Sequence, residues 1–358
     1  NIVIAKRITN AKKHKMIIVI ALKELRSMFA SPLAWVVLAF VQGFLANVFL
    51  KQVDTFMIIQ AQLARTPNAP GLTELAIVPM FGAAQMVLLM SIPLLTMRLI
   101  SEEKRNQTMT LLVSAPISMT QIIIGKFAAM VAFLCLILSL IATMSFSLLA
   151  GGAIDMGLIA ANLLGLLLLG MSFSSIGIFI SCLTMHPVVA AVMTLAVFMG
   201  FWVIGLAASD PGSWLNWVSI SKRFEGFLDG YVSLPDVTFF LAVITLSILF
   251  SHRKIDSQGL LLGIATAVIF LAEESNIRWD LTHSQRNTLS PATVEILKKI
   301  DAPISITAFV TTDAEGDLRQ PIVNFLTPYQ LEKNNLQFTF VNPSEDPFAA
   351  NKAGDPIN

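Results

Sequence analysis

Residues 101–121, SEEKRNQTMTLLVSAPISMTQ, are a charged and polar island between two long apolar runs, 77–97 and 122–150. A helix that crosses a bilayer needs about 20 apolar residues. Both flanking runs meet that length, so the island is a short segment hung between two spans. Which side of the membrane it faces fixes the topology of the rest.

Working outward, runs 33–50 and 157–183 also satisfy the span length, and 188–208 starts just after Pro187, where a helix loses nothing by lacking a donor. Runs 237–250 and 259–272 are shorter, with polar flanks that can snorkel. Composition agrees: 55% of the 358 residues are hydrophobic and 13% charged, against about 25% charged in soluble domains. The net charge of +1 gives no reason to expect a nucleic-acid partner. Basic residues mark the cytoplasmic side. Lys6, Arg7, Lys12, Lys13, Lys15, Lys23, Arg26, Arg98, Lys104, Arg105, Lys126, Arg253 and Lys254 fall on one side, against Lys51, Arg65, Lys222 and Arg223 on the other. The amino terminus and the island are therefore expected in the cytoplasm, and everything after about residue 273 outside it.

The expected division is a cytoplasmic amphipathic elbow (1–32), a six-span domain (33–251), a linker or chain junction (252–258), a seventh span (259–273) and an extracytoplasmic α/β domain (274–358). In the last, Ser290-Pro291 is a cap followed by a first-turn proline. ISITAFV and LQFTFV alternate as strands, and Leu318, Ile322, Phe325, Leu326 and Tyr329 recur at helical spacing. The fold class is thus a polytopic α-helical membrane protein followed by an α/β domain. The first residue is Asn and NKAGDPIN has no recognisable ending, so the sequence reads as an internal, truncated portion of a longer chain.

Within the island, Ser101 is expected to cap a helix over 101–115, with Glu102 and Glu103 at its positive end. Leu111 and Leu112 form an apolar edge, and Pro116 stops the helix. Ser118 and Gln121 form a capping box for the next span. The segment is either a solvated loop or a compact docking knob for a soluble partner.

RLISEEKRNQTMTLLVSAPISMTQIIIGKF, residues 98–127, resembles the cytoplasmic coupling segment of type-2 ABC transporter permeases. The matching positions are Arg98, Glu102, Glu103, Thr108, Leu111, Leu112, Pro116, Gly125 and Lys126. KKHKMIIVIALKELRSMFASPLAW is similar to the elbow helix of such permeases, although basic amphipathic helices bind membrane surfaces in general. RFEGFLDGYVSLPDVTFF resembles gliding-motility permease subunits (GldF-like). The later part resembles their membrane-anchored partner subunit (GldG-like), on Arg278, Asp280, Leu281, Thr282, Arg286, Thr288, Leu289, Ser290 and Pro291. The whole looks like two such subunits joined.

The resemblance implies a permease in the bacterial inner membrane, working as a homodimer with two copies of an ABC ATPase. Glu102, Glu103, Arg105, Thr108, Leu111, Leu112 and Pro116 would then form the ATPase-coupling helix. No phosphate-binding loop of the form Gly-x-x-x-x-Gly-Lys-Ser/Thr occurs; Gly125-Lys126 lacks the upstream glycine and the hydroxyl residue. The chain is thus expected to bind no cofactor and to be no enzyme, with ATP and Mg held by the partner.

Three other stretches invite roles. Trp214, Trp217, Phe224, Phe227 and Tyr231 recur at helical spacing in 211–235, as an external interfacial helix lying at the lipid surface or as a gate over an exit. Gly170, Ser174, Gly177 and Ser181 stand three or four apart, which suits close helix packing or, alternatively, lines a path. His14, His186, His252 and His283 show no metal spacing, and no nucleophile with a base stands out beyond residue 273. The expected function is an ABC permease that couples ATP hydrolysis elsewhere to export or to force across the membrane, with extracytoplasmic proteins as further partners. The alternative is a non-transporting membrane scaffold that displays the α/β domain.

Overall fold

The computed structural model describes residues 2–63, 71–108, 117–150, 154–207, 219–252, 278–282, 288–300, 304–309, 319–333 and 336–341. The chain divides into two compact units. The first is Asn1–Ala207 with Leu215–His283, and the second is Ala208–Trp214 with Ser284–Asn358.

In the first unit, α1 (Ile2–Ala30) ends at Ser31, whose hydroxyl accepts from the Leu33 N–H at 3.4 Å, and Pro32 opens α2 (Pro32–Leu63). Proline costs nothing at that position because the first N–H groups of a helix have no internal partner. A π-helical turn, Thr73–Ile77, leads into α3 (Val78–Thr96), and a break at Met97–Ile100 separates it from the short α4 (Ser101–Arg105). Then follow α5 (Met119–Ser147), α6 (Met156–Leu183), α7 (Pro187–Ala207), α8 (Ile220–Leu228), β1 (Tyr231–Ser233), α9 (Leu234–His252) and β2 (Arg278–Asp280).

Among the described residues, six helical segments are long and apolar enough to cross a membrane: Pro32–Gln60, Thr73–Arg105, Met119–Ser147, Met156–Leu183, Pro187–Gly205 and Leu234–Ser251. The chain is a polytopic helical membrane protein. The expected seventh span, 259–273, lies outside the described residues, as does the expected junction, 252–258, apart from His252, which ends α9. The first span continues as helix well past residue 50, because Lys51, Gln52 and Asp54 are helix-compatible and break only the apolar run.

The core forms around α6, which is 72% buried over its span window and packs on α3, α5, α7, α8 and α9. Phe81, Leu88, Phe133, Ile141, Phe173 and Phe198 fill it. By contrast α7 is only 17% buried and turns Val188, Val192 and Val203 outward, as a lipid-facing helix does.

β1 and β2 pair antiparallel, Tyr231 with Asp280, Val232 with Trp279 and Ser233 with Arg278. Residues 278–280 thus pair within the first unit.

The second unit contains α10 (Pro291–Lys299), β3 (Ile304–Phe309), α11 (Arg319–Glu332) and β4 (Leu336–Val341). The Ser290 hydroxyl caps α10 by accepting from the Thr293 N–H at 3.1 Å. β3 and β4 run parallel in register from Ile304–Leu336 to Phe309–Val341. The buried Lys333 ammonium donates to the carbonyls of Leu297 and Ile300, closing the end of α10.

Candidate functional site

α4 continues the line of α3 after a break that α6 stabilises. Ser181 on α6, wholly buried, accepts from the N–H groups of Ile100 at 3.2 Å and Ser101 at 3.1 Å. Its own hydroxyl donates to the Met97 carbonyl at 3.1 Å. A helix break in an apolar setting frees backbone groups that need partners, and one serine on the neighbouring helix supplies three contacts. Lys104 adds a fourth tie, donating its ammonium to the Cys182 carbonyl.

This differs from the helix expected over 101–115. Ile100, not Ser101, is the residue before the first helical turn, and no side chain caps it. The Ser101 hydroxyl instead donates to the Met97 carbonyl. The helix ends at Arg105, and Gln107 adopts a positive φ of 58°. Without a capping side chain, the helix that starts at Ser101 is one turn long, and residues 109–115 lie outside the described residues. Glu102, Arg105 and Thr108 are exposed, and Thr108 donates to the Glu103 carbonyl at 3.3 Å. Leu111, Leu112 and Pro116 lie outside the described residues. The capping box of α5 is present: the Gln121 N–H donates to Ser118 Oγ and the Ser118 N–H to Gln121 Oε1.

Beside α4 three helices meet on one cation. Lys126, in the second turn of α5 and only 1% exposed, places its ammonium 2.5 Å from Glu24 Oε1 on α1 and 2.9 Å from Glu103 Oε1 on α4. Gly125 makes the approach possible: a Cβ there would stand 2.7 Å from Ile20 Cγ2, on the turn of α1 just before Glu24. An isolated buried ammonium is prohibitively costly, and pairing is what permits it. The cluster carries one positive and two negative charges, and Glu103 Oε2 is buried with no hydrogen-bond partner among the described residues.

In the sequence Lys126 counts among the basic residues of the cytoplasmic side; in the fold it is an internal clamp. A lysine at the foot of an apolar run was the available signal, since a buried lysine needs a partner, but Glu24 lies too far away in sequence to be assigned to it.

At the far end of α6 the stretch 211–235 is not one aromatic helix. Trp214 and Trp217 lie outside the described residues. α8 starts after Ser219, whose hydroxyl accepts from the Lys222 N–H at 3.2 Å, and ends before Gly230, which takes a φ of 86°. Phe224 and Phe227 are wholly buried against α6, where a Cβ on Gly165 would meet Phe227 at 2.6 Å. They are core residues, because Gly165 opens a seat that removes both rings from lipid. Tyr231 is half-buried at the start of β1.

Arg223 is buried too, donating to Asp236 Oδ1 at 3.2 Å and lying 5.5 Å over the Phe239 ring, so that α8 and α9 are locked together. Gln85 in α3 donates to Ser221 at 3.2 Å. Burial raises the Glu225 carboxyl above its ordinary pKa, against the downward pull of Lys222.

The small-residue row of α6 meets two helices. A Cβ on Gly170 would stand 2.5 Å from Leu134 of α5, and one on Gly177 would stand 2.3 Å from Thr96 Oγ1 of α3. Ser174 is buried, its hydroxyl without a partner among the described residues. Among the described residues no group of three or more His, Cys, Asp or Glu is placed to hold a metal ion.

Residues 18–221 match the profile of the ABC-2 family transporter proteins, more than half of the chain. The chain belongs to the ABC-2 transporter family. An ABC-2 protein is a membrane transport component rather than a catalyst, so this chain is the membrane subunit of an ABC transporter. The ABC-2 match takes in Glu24, α4 and Lys126 and stops within α8. Residues 283–357 match a second profile, a domain of unknown function (DUF7088), which begins directly after Thr282. No curated protein matches the chain.

Proposed function

We propose that this ABC-2 chain is the permease of a complex in which a separate ATPase, holding ATP and Mg, docks on residues 101–116. Two permease copies and two ATPase copies form the working unit. ATP hydrolysis is passed to the spans as export of a substrate or as force delivered across the membrane.

The Lys126 junction is the observation that carries this reading. Force applied to α4 passes through Glu103 to α5, through Glu24 to α1, and through Ser181 and Lys104 to α6. A surface loop would need none of these ties; a lever does. In this reading Glu102, Arg105 and Thr108 form the polar rim of the contact, with Leu111 and Leu112 as its apolar centre.

The uneven basic residues support a cytoplasmic amino terminus in a bacterial inner membrane, with α1 as the elbow and the second unit outside. The GldF-like and GldG-like motifs, in one chain, support a relationship to gliding-motility transporters and a role for the second unit in engaging extracytoplasmic proteins.

The test is purification of the tagged chain from detergent with its nucleotide-binding subunit, comparing wild type, Leu111→Asp with Leu112→Asp, and Lys126→Met. The double variant is expected to lose a stoichiometric ATPase while remaining monodisperse. Lys126→Met is expected to keep the ATPase but lose ATP-dependent change in the spans. An ATPase retained by the double variant, or absent from wild type, defeats the proposal.

A further inference from the structure

We infer that Arg278–Thr282 is a latch, a short strand that the permease holds by strand addition so that the chain enters the second unit from a fixed point. The inference does not rest on the proposed ATPase coupling.

β1 is only three residues long, and alone it would leave backbone N–H and C=O groups unpaired at an edge. β2 pairs it over its full length, the pattern by which an extended segment adds to a sheet edge. The Leu281 N–H extends the pairing by donating to the Gly230 carbonyl at 3.0 Å. Asp280 then braces the turn, accepting from the Thr282 N–H at 3.0 Å and from its hydroxyl at 2.6 Å.

Two glycines form the seat. Gly230 has a φ of 86°, and a Cβ there would meet Thr282 Cγ2 at 2.5 Å and Leu158 Cδ1 at 2.7 Å. At Gly157, in the first turn of α6, a Cβ would stand 1.4 Å from the Leu281 carbonyl oxygen. Gly157 is helical, and alanine is the better helix former by about 1 kcal/mol. A glycine there is unfavourable for α6 itself and necessary for the strand. Thr282, Val232 and Ser233 are buried by the arrangement, so the latch closes over side chains as well as backbone. The domain of unknown function starts at residue 283, where the latch ends.

The experiment uses the full chain with Cys135 and Cys182 replaced by alanine, oxidised by copper phenanthroline and read by mass spectrometry of the linked peptides. Ser233→Cys with Arg278→Cys places thiols on directly opposed residues. Tyr231→Cys with Arg278→Cys is two residues out of register, beyond the reach of a disulfide. The first pair is expected to link in most chains and the second at background. Adding Gly157→Ala is expected to lower the first to background, and Asp280→Ala to reduce it several-fold. Equal linking of the two pairs, or parental yield with both Gly157→Ala and Asp280→Ala, overturns the inference.

Discussion

The Lys126 ammonium sits 2.5 Å from a carboxylate oxygen of Glu24, a residue 102 positions earlier in the chain. The pair fastens the helix before the first span to the foot of the third, and Glu103 joins it from α4, at the end of the second spanning segment. Removing one partner from such a group leaves uncompensated charge, whereas removing all of it need not cost stability. Lys126→Met is expected to destabilise the chain by about 3–5 kcal/mol. Lys126→Met with Glu24→Gln and Glu103→Gln is expected to recover most of that. Thermal unfolding in detergent checks both; a single variant as stable as wild type would place the lysine in solvent.

Ser181 is expected to matter through the backbone it satisfies. Ser181→Ala leaves the buried N–H groups of Ile100 and Ser101 without an acceptor, at about 1–3 kcal/mol each. Hydrogen exchange at those two amides should quicken more than exchange along the rest of α3. Unchanged protection would mean that the break at Met97–Ile100 is held by something other than α6.

Gly177 and Thr96 touch so closely that a methyl group does not fit between α6 and α3. Gly177→Ala should cost about 1–3 kcal/mol through overpacking, and Thr96→Gly in the same chain should return part of it. Additive losses in a double-mutant cycle would show that the two positions do not meet.

Glu225 has a pH signature. Its folded-state pKa is raised by burial, so the folded chain holds that proton more tightly than the unfolded chain. The stability this contributes is fully present below the ordinary carboxylate value and is lost as pH rises through the raised one. With 39% of the side chain still open, the slope is shallow. Glu225→Gln should flatten the melting temperature against pH in that window; a slope identical to wild type would refute the assignment.

Much of the membrane architecture is legible in the sequence, because apolar runs are a local property. The runs at 33–50, 157–183 and 237–250 fall within helices, and those at 77–97, 122–150 and 188–208 do so except at their carboxy-terminal ends, residue 208 lying outside the described residues. The capping box at Ser118 and Gln121 was equally legible, since both partners are three residues apart. The cap expected at Ser101 is not made, because Ser101 has the right side chain for a cap and uses it on the Met97 carbonyl. Phe224 and Phe227 were misread because helical spacing of aromatic residues is the same for a lipid-facing and a core-facing stripe; only Gly165 on another helix decides which.

The sequence by itself determined that this chain crosses a membrane, where its six described spans run and which side carries the basic residues, since each follows from local hydropathy and charge. Tertiary structure alone decided that Lys126 is a clamp, that Ser181 repairs a broken helix and that residues 278–280 pair with 231–233. Those facts depend on groups brought together from distant positions. A buried charge or an unpaired strand edge announces that it needs a partner, but only packing selects which one.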